Sequence, residues 1–563
     1  MDDAFAGMSL GSGQQRKLII GIDFGTTYSG IAWAETRRPE QQTVVNNWPS
    51  SLESKEGKIM DKVPTELRYT AEGKEWGFQI PALEDRHRLF KLGLVGGRLV
   101  DPGHETSPES LATDYLTALR DHLMYTLEQK LGTSILRTIP IEYCLTVPAI
   151  WSEVAKEKTL EAASRAGLNG LGKILLVSEP EAAAIYTLNS LDTHDLKIDD
   201  SFVLCDAGGG TVDLISYTIT QLQPKLNIRE ASPGSGGMCG STYLNRRFAR
   251  FLTTKIGQEE GWDAELLAEA MERFDLVIKK QYSDLSSYTI PVPGLANNEG
   301  LGIKRGRLLI TRAEMRAVFE PVVSQVISLV EQQIVSSSKK IRAVFLVGGF
   351  GENSYLKERL RAALGTSIEV IQPPNAWTAV TRGAVLMGLG HTNEDLAAVG
   401  VTSRAARKHY GIRLHVKFDP ERHDASKKFF DEVDQTDRVA EMQWFIKRGD
   451  PVEERKTKRI LFQQNFLAEI GPPTETSMDV MCDEISTIAP VHPNENCRTL
   501  VTLRADLRSI SSEDMESTLT KNADGKWYYL IKGDVEAEYL SASTKYMLLC
   551  LGKRYDTITA EYA

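Results

Sequence analysis

Residues 17–33, KLIIGIDFGTTYSGIAW, run from an apolar stretch through Asp23 into a turn of small and hydroxyl residues, then out into a second apolar stretch. LIIGID is too short for a helix and is flanked by glycine, so it reads as a buried strand entering a tight turn at Gly25. About 180 residues later VLCDAGGGTVDLISY (203–217) repeats the plan: strand, Asp206, a turn of Gly208, Gly209, Gly210 and Thr211, and a second strand. One such unit is weak evidence, whereas two imply related half-domains facing one cleft. Phosphate oxygens need many short donors at close range, and glycine lets backbone N–H groups approach them. Thr26, Thr27 and Thr211 add hydroxyls, and the paired carboxylates Asp23 and Asp206 are hard oxygen ligands of the kind a hydrated Mg2+ takes.

Around these hairpins strands alternate with helices. Leu111, Tyr115, Leu116, Leu119, Leu123, Leu127 and Leu131 recur at helical spacing, with Ser107 as N-cap, Pro108 as first residue and Gly132 as stop. IEYCLTVPA (141–149) and LLVSEP (175–180) read as strands, Ser152–Ala166 and EAAAIYTL as helices. The pattern is helical again over 241–285 and 312–337, and RAVFLVGG (342–349) is a buried strand ending in two glycines. This is an α/β layout with ligand groups at strand ends. After about residue 391 short alternating stretches such as YGIRLHVKF and EMQWFIKRG predict a smaller β-rich domain, with Trp444 and Trp527 as core anchors. The expected organisation is a disordered leader (1–16), a first lobe (17–204), a second lobe (205–392), a linker (393–409) and the β-rich domain (410–563).

Bulk properties exclude more than they select. A net charge of −10 argues against a general nucleic-acid binder, which needs Lys and Arg to neutralise phosphates. No run of about 18 apolar residues predicts a membrane span. Six scattered cysteines without paired spacing suggest a reducing compartment, cytosol or nucleus. The nine histidines show no metal-ligand spacing. Glu179 alone reads as a helix-start carboxylate with Pro180 beside it, and Lys91 alone as a surface lysine.

The two hairpins resemble the phosphate motifs of the actin/heat-shock-70/hexokinase superfamily, and LVGGFGENSYLKERL (346–360) resembles its adenosine motif. TVPAIW, SEPEAAAIYTL and LLITRAEMRAVFEPVV point to the heat-shock-70 branch, over residues 17–390 in the right order. The resemblance implies an actin-like duplicated fold of two lobes around a cleft that takes ATP or ADP with Mg2+. It gives Asp23 and Asp206 the Mg2+ shell through water. It places Gly25, Thr26, Thr27, Tyr28, Gly208, Gly209, Gly210 and Gly240 at the phosphates. Lys91, Glu179, Thr211 and Asp213 become the hydrolytic group. Lys279, Lys280, Ser283, Gly348, Gly349 and Phe350 become the adenosine side. Departures accompany it. The adenine-stacking arginine falls at Glu352, a serine at Phe350 and a glutamate at Leu276. Lys156 replaces an arginine, and neither the acidic leucine-rich linker nor a helical lid is present. These traits are similar to the divergent, lid-less group of heat-shock 70-kDa protein family A member 12. The implied function is a slow Mg2+-dependent ATPase and nucleotide-gated chaperone with protein clients and co-chaperones. A small-molecule kinase and a non-hydrolysing nucleotide scaffold are the alternatives.

Overall fold

The computed structural model describes residues 16–50, 59–81, 84–95, 106–170, 174–190, 196–337, 339–453, 456–539 and 544–555. The expected leader therefore falls, but for residue 16, outside the described residues. The chain divides into two units, residues 1–228 with 234–400 and residues 229–233 with 401–563.

The first unit is built twice from one plan. Strands β1 (Leu18–Asp23), β2 (Tyr28–Glu35) and β3 (Arg38–Val44) are followed by helix α1 (Pro108–Leu131). Then come β4 (Ile141–Val147), β5 (Leu175–Ser178) and α2 (Glu179–Ser190). The sheet order is β3-β2-β1-β4-β5, with β1 antiparallel to β2 and parallel to β4. The second lobe repeats it with β6 (Ser201–Ala207), β7 (Val212–Gln221), β8 (Ile341–Val347) and β9 (Glu369–Ile371). Here β6 is antiparallel to β7 and parallel to β8, and β8 is parallel to β9. Each central strand is covered on both faces, which is why β1 and β6 read as unbroken apolar runs.

Helix boundaries follow their caps. The Ser107 hydroxyl accepts from the Ser110 N–H, Pro108 begins α1 and Gly132 ends it, while Leu111, Tyr115, Leu116, Leu119, Leu123 and Leu127 are buried. Thr311 and Glu314 form a reciprocal capping box at the start of α3 (Arg312–Ser336). The strand expected over 175–180 stops at Ser178, because Glu179 and Pro180 already belong to α2. The stretch expected to be helical over 241–285 holds two helices, Thr242–Ile256 and Ala264–Arg273, the second continuing through a π turn, Phe274–Ile278, to end at Gln281.

The last α-helix of the first unit, α4 (Ala379–Thr392), follows the second-lobe strands in sequence but packs on the first-lobe sheet. Ala384, Val385 and Leu389 share a core with Ile19, Ala32, Cys144 and Val177. Glycine permits the approach: a Cβ on Gly383 would sit 1.8 Å from the Ala182 carbonyl oxygen, and one on Gly388 would sit 2.4 Å from Cys144 Sγ. The range expected for the second lobe, 205–392, thus ends in a helix of the first lobe's core. Residues 393–409, expected as a linker, hold a 3-10 turn at Glu394–Leu396 and a strand at Val399–Ala405.

The second unit is β-rich. One antiparallel sheet runs Lys428–Asp431, Thr436–Ile446, His409–Lys417, Glu475–Asp483, Arg498–Asp506. The other pairs Thr457–Leu467, Trp527–Tyr539, Thr544–Cys550 and Lys553–Tyr555 in that order. Ile412, Val480, Leu503, Ile531, Val535 and Leu548 fill its core. Trp444 is half-buried and donates from Nε1 to the Pro490 carbonyl at 2.7 Å, whereas Trp527, expected in the core, is 54% exposed. Among the described residues no helix is long and apolar enough to cross a membrane.

Replacing Gly383 by Val forces the side chain into the α2 backbone, which has no alternative position. Urea denaturation should show a loss of about 1–3 kcal/mol, and unchanged stability would show that α4 is not clamped there.

Candidate functional site

The two hairpin turns meet. A Cβ on Gly209 would lie 2.0 Å from Thr27 Oγ1, and one on Gly210 would lie 2.8 Å from Thr26 Oγ1. No side chain fits between them, so these positions accept only glycine. The Gly208 N–H donates to the Thr211 carbonyl at 3.0 Å and closes the second turn. Gly240 supports it from behind, its N–H donating to the Gly210 carbonyl at 3.2 Å. Gly25 is held by the Thr65 hydroxyl, which donates to its carbonyl at 2.8 Å.

Four carboxylates lie at this junction: Asp23, Glu179, Asp206 and Asp213, each no more than 8% exposed. Asp23 stands at the end of β1 and Asp206 directly opposite Asp213 in the β6–β7 pair. Lys91 Nζ is 2.8 Å from Glu179 Oε1 and lies over the Trp151 ring at 5.0 Å. Lys91 is 1% exposed, far from the surface lysine its local sequence suggests. It sits in a short helical turn, Phe90–Gly93, entered through Leu89 at φ 57°. A left-handed leucine is strained, and Phe90 packed on Phe24 and Tyr115 holds the turn in place. Removing either partner of a buried ion pair costs about 3–5 kcal/mol.

Electrostatics follow from burial. Burial, with Glu179, Asp213 and Asp23 nearby, raises the Asp206 carboxyl well above the carboxylate range. Burial and then Glu179 push Asp213 up to about 7, opposed by a hydrogen bond from Thr211 and the charge of Lys91. Burial also raises Glu179, with Lys91 opposing. Asp213 Oδ1 is buried with no hydrogen-bond partner among the described residues. An orphaned carboxylate oxygen beside Asp206, which has no cationic partner in contact among the described residues, fits a divalent cation or a bound water. Among the described residues no three acidic, histidine or cysteine side chains converge as a direct metal cage. The fit is therefore to a hydrated cation, the form in which Mg2+ is commonly held.

The base side departs from expectation. Gly348, in the left-handed region at φ 85°, turns the chain where a Cβ would strike Asp206 Oδ1 at 2.4 Å. A Cβ on Gly349 would lie 3.2 Å from Trp377 Nε1. The Trp377 ring meets Tyr28 edge-on at 5.7 Å, with Lys280 Nζ 5.8 Å from its centre. Its backbone N–H donates to Glu352 Oε1 at 3.2 Å, and burial raises the Glu352 carboxyl. Phe350 is not brought to this surface: it is 3% exposed within the second-lobe core, its N–H donating to the Ala207 carbonyl at 2.9 Å. Lys279 turns to Asp275 and Asn245, and Ser283 follows half-buried. Sequence reasoning missed Trp377, for which an aromatic after the Pro373–Pro374 turn was the available signal. It also missed Lys62, whose Nζ is 2.6 Å from Asp23 Oδ2.

Comparison with known proteins gives the family. A family model described as Hsp70 protein matches residues 69–402, and one described as a domain of unknown function (DUF8568) matches residues 404–519. The chain is 25% identical over 520 residues to heat shock 70 kDa protein 12B of Homo sapiens, covering 73% of each. It is 25% identical over 514 residues to heat shock 70 kDa protein 12A of Mus musculus, covering 73% of this chain and 74% of that protein.

The pH dependence of stability tests the buried Asp213. An acid whose folded pKa is raised binds more protons in the native state, so stability falls as pH rises toward that value. Without nucleotide or metal, wild type should lose about 2 kcal/mol relative to Asp213→Asn between about pH 5 and pH 7. Parallel stability curves would mean that Asp213 titrates normally.

Proposed function

The chain belongs to the Hsp70 protein family, and on that premise we propose that it binds ATP between its two lobes and hydrolyses it slowly. One observation carries the reading: the Thr26 and Thr27 side chains of one turn pack directly on Gly210 and Gly209 of the other, at a junction where four buried carboxylates face two lysines.

On this reading the phosphates lie along the N–H groups of the Gly208–Gly210 turn and the hydroxyls of Thr26, Thr27 and Thr211. Asp206 and Asp213 would hold Mg2+, with Asp23 reaching its water shell, and the ion would neutralise charge on the phosphates. Lys91 stabilises charge on the transferring phosphoryl group, and Glu179 fixes its Nζ. From the metal shell Asp213 would help to orient the attacking water. The chemistry is positioning plus electrostatics, with no covalent step. Trp377 supplies the flat face for the base that the family's arginine provides elsewhere. The β-rich second unit is the protein-interaction module, whose engagement with clients or co-chaperones the nucleotide gates.

Phosphate release should be reduced about 100-fold or more by Lys91→Ala and by Asp206→Ala, with nucleotide binding retained for Lys91→Ala. Measured ATP binding without release in wild type would replace the hydrolase reading by a nucleotide-holding scaffold. No binding at all would remove both. Trp377→Ala should weaken nucleotide binding by about 5–100-fold, the worth of one base-aromatic stack. Equal affinity in titrations of wild type and variant would place the base elsewhere.

A further inference from the structure

Lys62 lies outside every motif of the nucleotide cleft, yet it is among its most buried charges. Its side chain is 8% exposed, and that of its partner Asp23 is 7% exposed. Its stem packs against Gly30, where a Cβ would lie 3.1 Å from Lys62 Cγ, so the glycine makes room for the lysine. Lys62 Nζ donates to Asp23 Oδ2 at 2.6 Å, while the Thr146 hydroxyl approaches Asp23 Oδ1 at 3.4 Å. Both oxygens of Asp23 are thus engaged by the protein itself. The charge of Lys62 also reaches Glu179, Asp206 and Glu352.

Charge pairing makes the consequence specific. Lys91 is committed to Glu179 and Lys62 to Asp23. Asp206 and Asp213 remain without a cationic partner in contact among the described residues, and Asp213 Oδ1 has no hydrogen bond at all. Two unmatched carboxylates correspond to one divalent cation.

We propose that Lys62 is a built-in cation that neutralises Asp23, so that a divalent ion is anchored on Asp206 and Asp213 and competes with Lys62 for the remaining carboxylate. The nucleotide reading above is its premise, for Lys62 then sets how strongly the phosphate end depends on metal. It is a positioning residue, since it acts through Asp23.

The test uses the full chain without nucleotide and Mn2+ as a paramagnetic probe, scoring the fraction of binding that Asp206→Asn abolishes. Removing a unit charge a few ångströms from the ion and freeing Asp23 should tighten Mn2+ binding at least about tenfold in Lys62→Met. Lys62→Arg, which keeps the charge, should bind as wild type does. The double variant Lys62→Met with Asp23→Asn should lose the gain. Unchanged or weaker Mn2+ binding by Lys62→Met, with a cooperative melting transition retained, overturns the proposal. If Lys62→Met does not fold, Asp23→Asn is compared with Asp206→Asn. The former should weaken Mn2+ binding at least about fivefold less, and equal losses overturn the proposal. A chain that shows this Mn2+ pattern but binds no ATP would refute the ATP reading and leave the assignment of Lys62 standing.

Discussion

Asp23, Glu179, Asp206 and Asp213 are buried together, and Lys62 and Lys91 are the lysines in contact with them among the described residues. Burying one ionised carboxylate is costly, and burying several side by side costs more, since each raises the others. The ion pairs Lys91–Glu179 and Lys62–Asp23 offset part of this. The remainder appears as the raised carboxyls of Asp206 and Asp213. Such a cluster persists because the surrounding fold over-determines it. Strained Leu89 and the glycine turns are where that constraint is visible.

The duplicated sheets explain how one chain brings these groups together. In each lobe the first strand of an antiparallel hairpin carries an aspartate near its C-terminal end, and parallel strands of the same sheet lead into the next residues of the cluster. Glu179 follows β5, and Gly348 follows β8. Helix α4 returns to the first-lobe sheet after the second lobe is complete, so the same backbone that carries Trp377 also packs on β1, behind Asp23. Trp377 and the carboxylate cluster are thereby connected through packed elements within one unit.

The hairpins, the capped helices and the β-rich tail were legible because each is a local pattern: an apolar run, a turn residue, a cap. The burial of Lys91 was not legible locally, since nothing in FKLG states it. Phe350 was misplaced because a residue after a strand can point to ligand or to core. Here its ring belongs to the core of Phe248, Phe274 and Phe319. The division between the two units falls within residues 393–409, the expected linker, where main-chain pairing also makes a strand of Val399–Ala405. Trp527 looked like a core anchor because tryptophan is large and apolar, yet it lies near a strand end, half exposed.

By itself the sequence determined the two phosphate-type turns, their paired aspartates and the order of strands and helices, because these depend on neighbours a few residues apart. Tertiary structure alone decided that Lys62 answers Asp23 across 39 residues, that Trp377 faces Tyr28, and that α4 belongs to the first lobe's core. Those outcomes depend on which buried charge lacks a partner and where a missing Cβ permits close approach. Both are properties of packed space, and neither has a local signature along the chain.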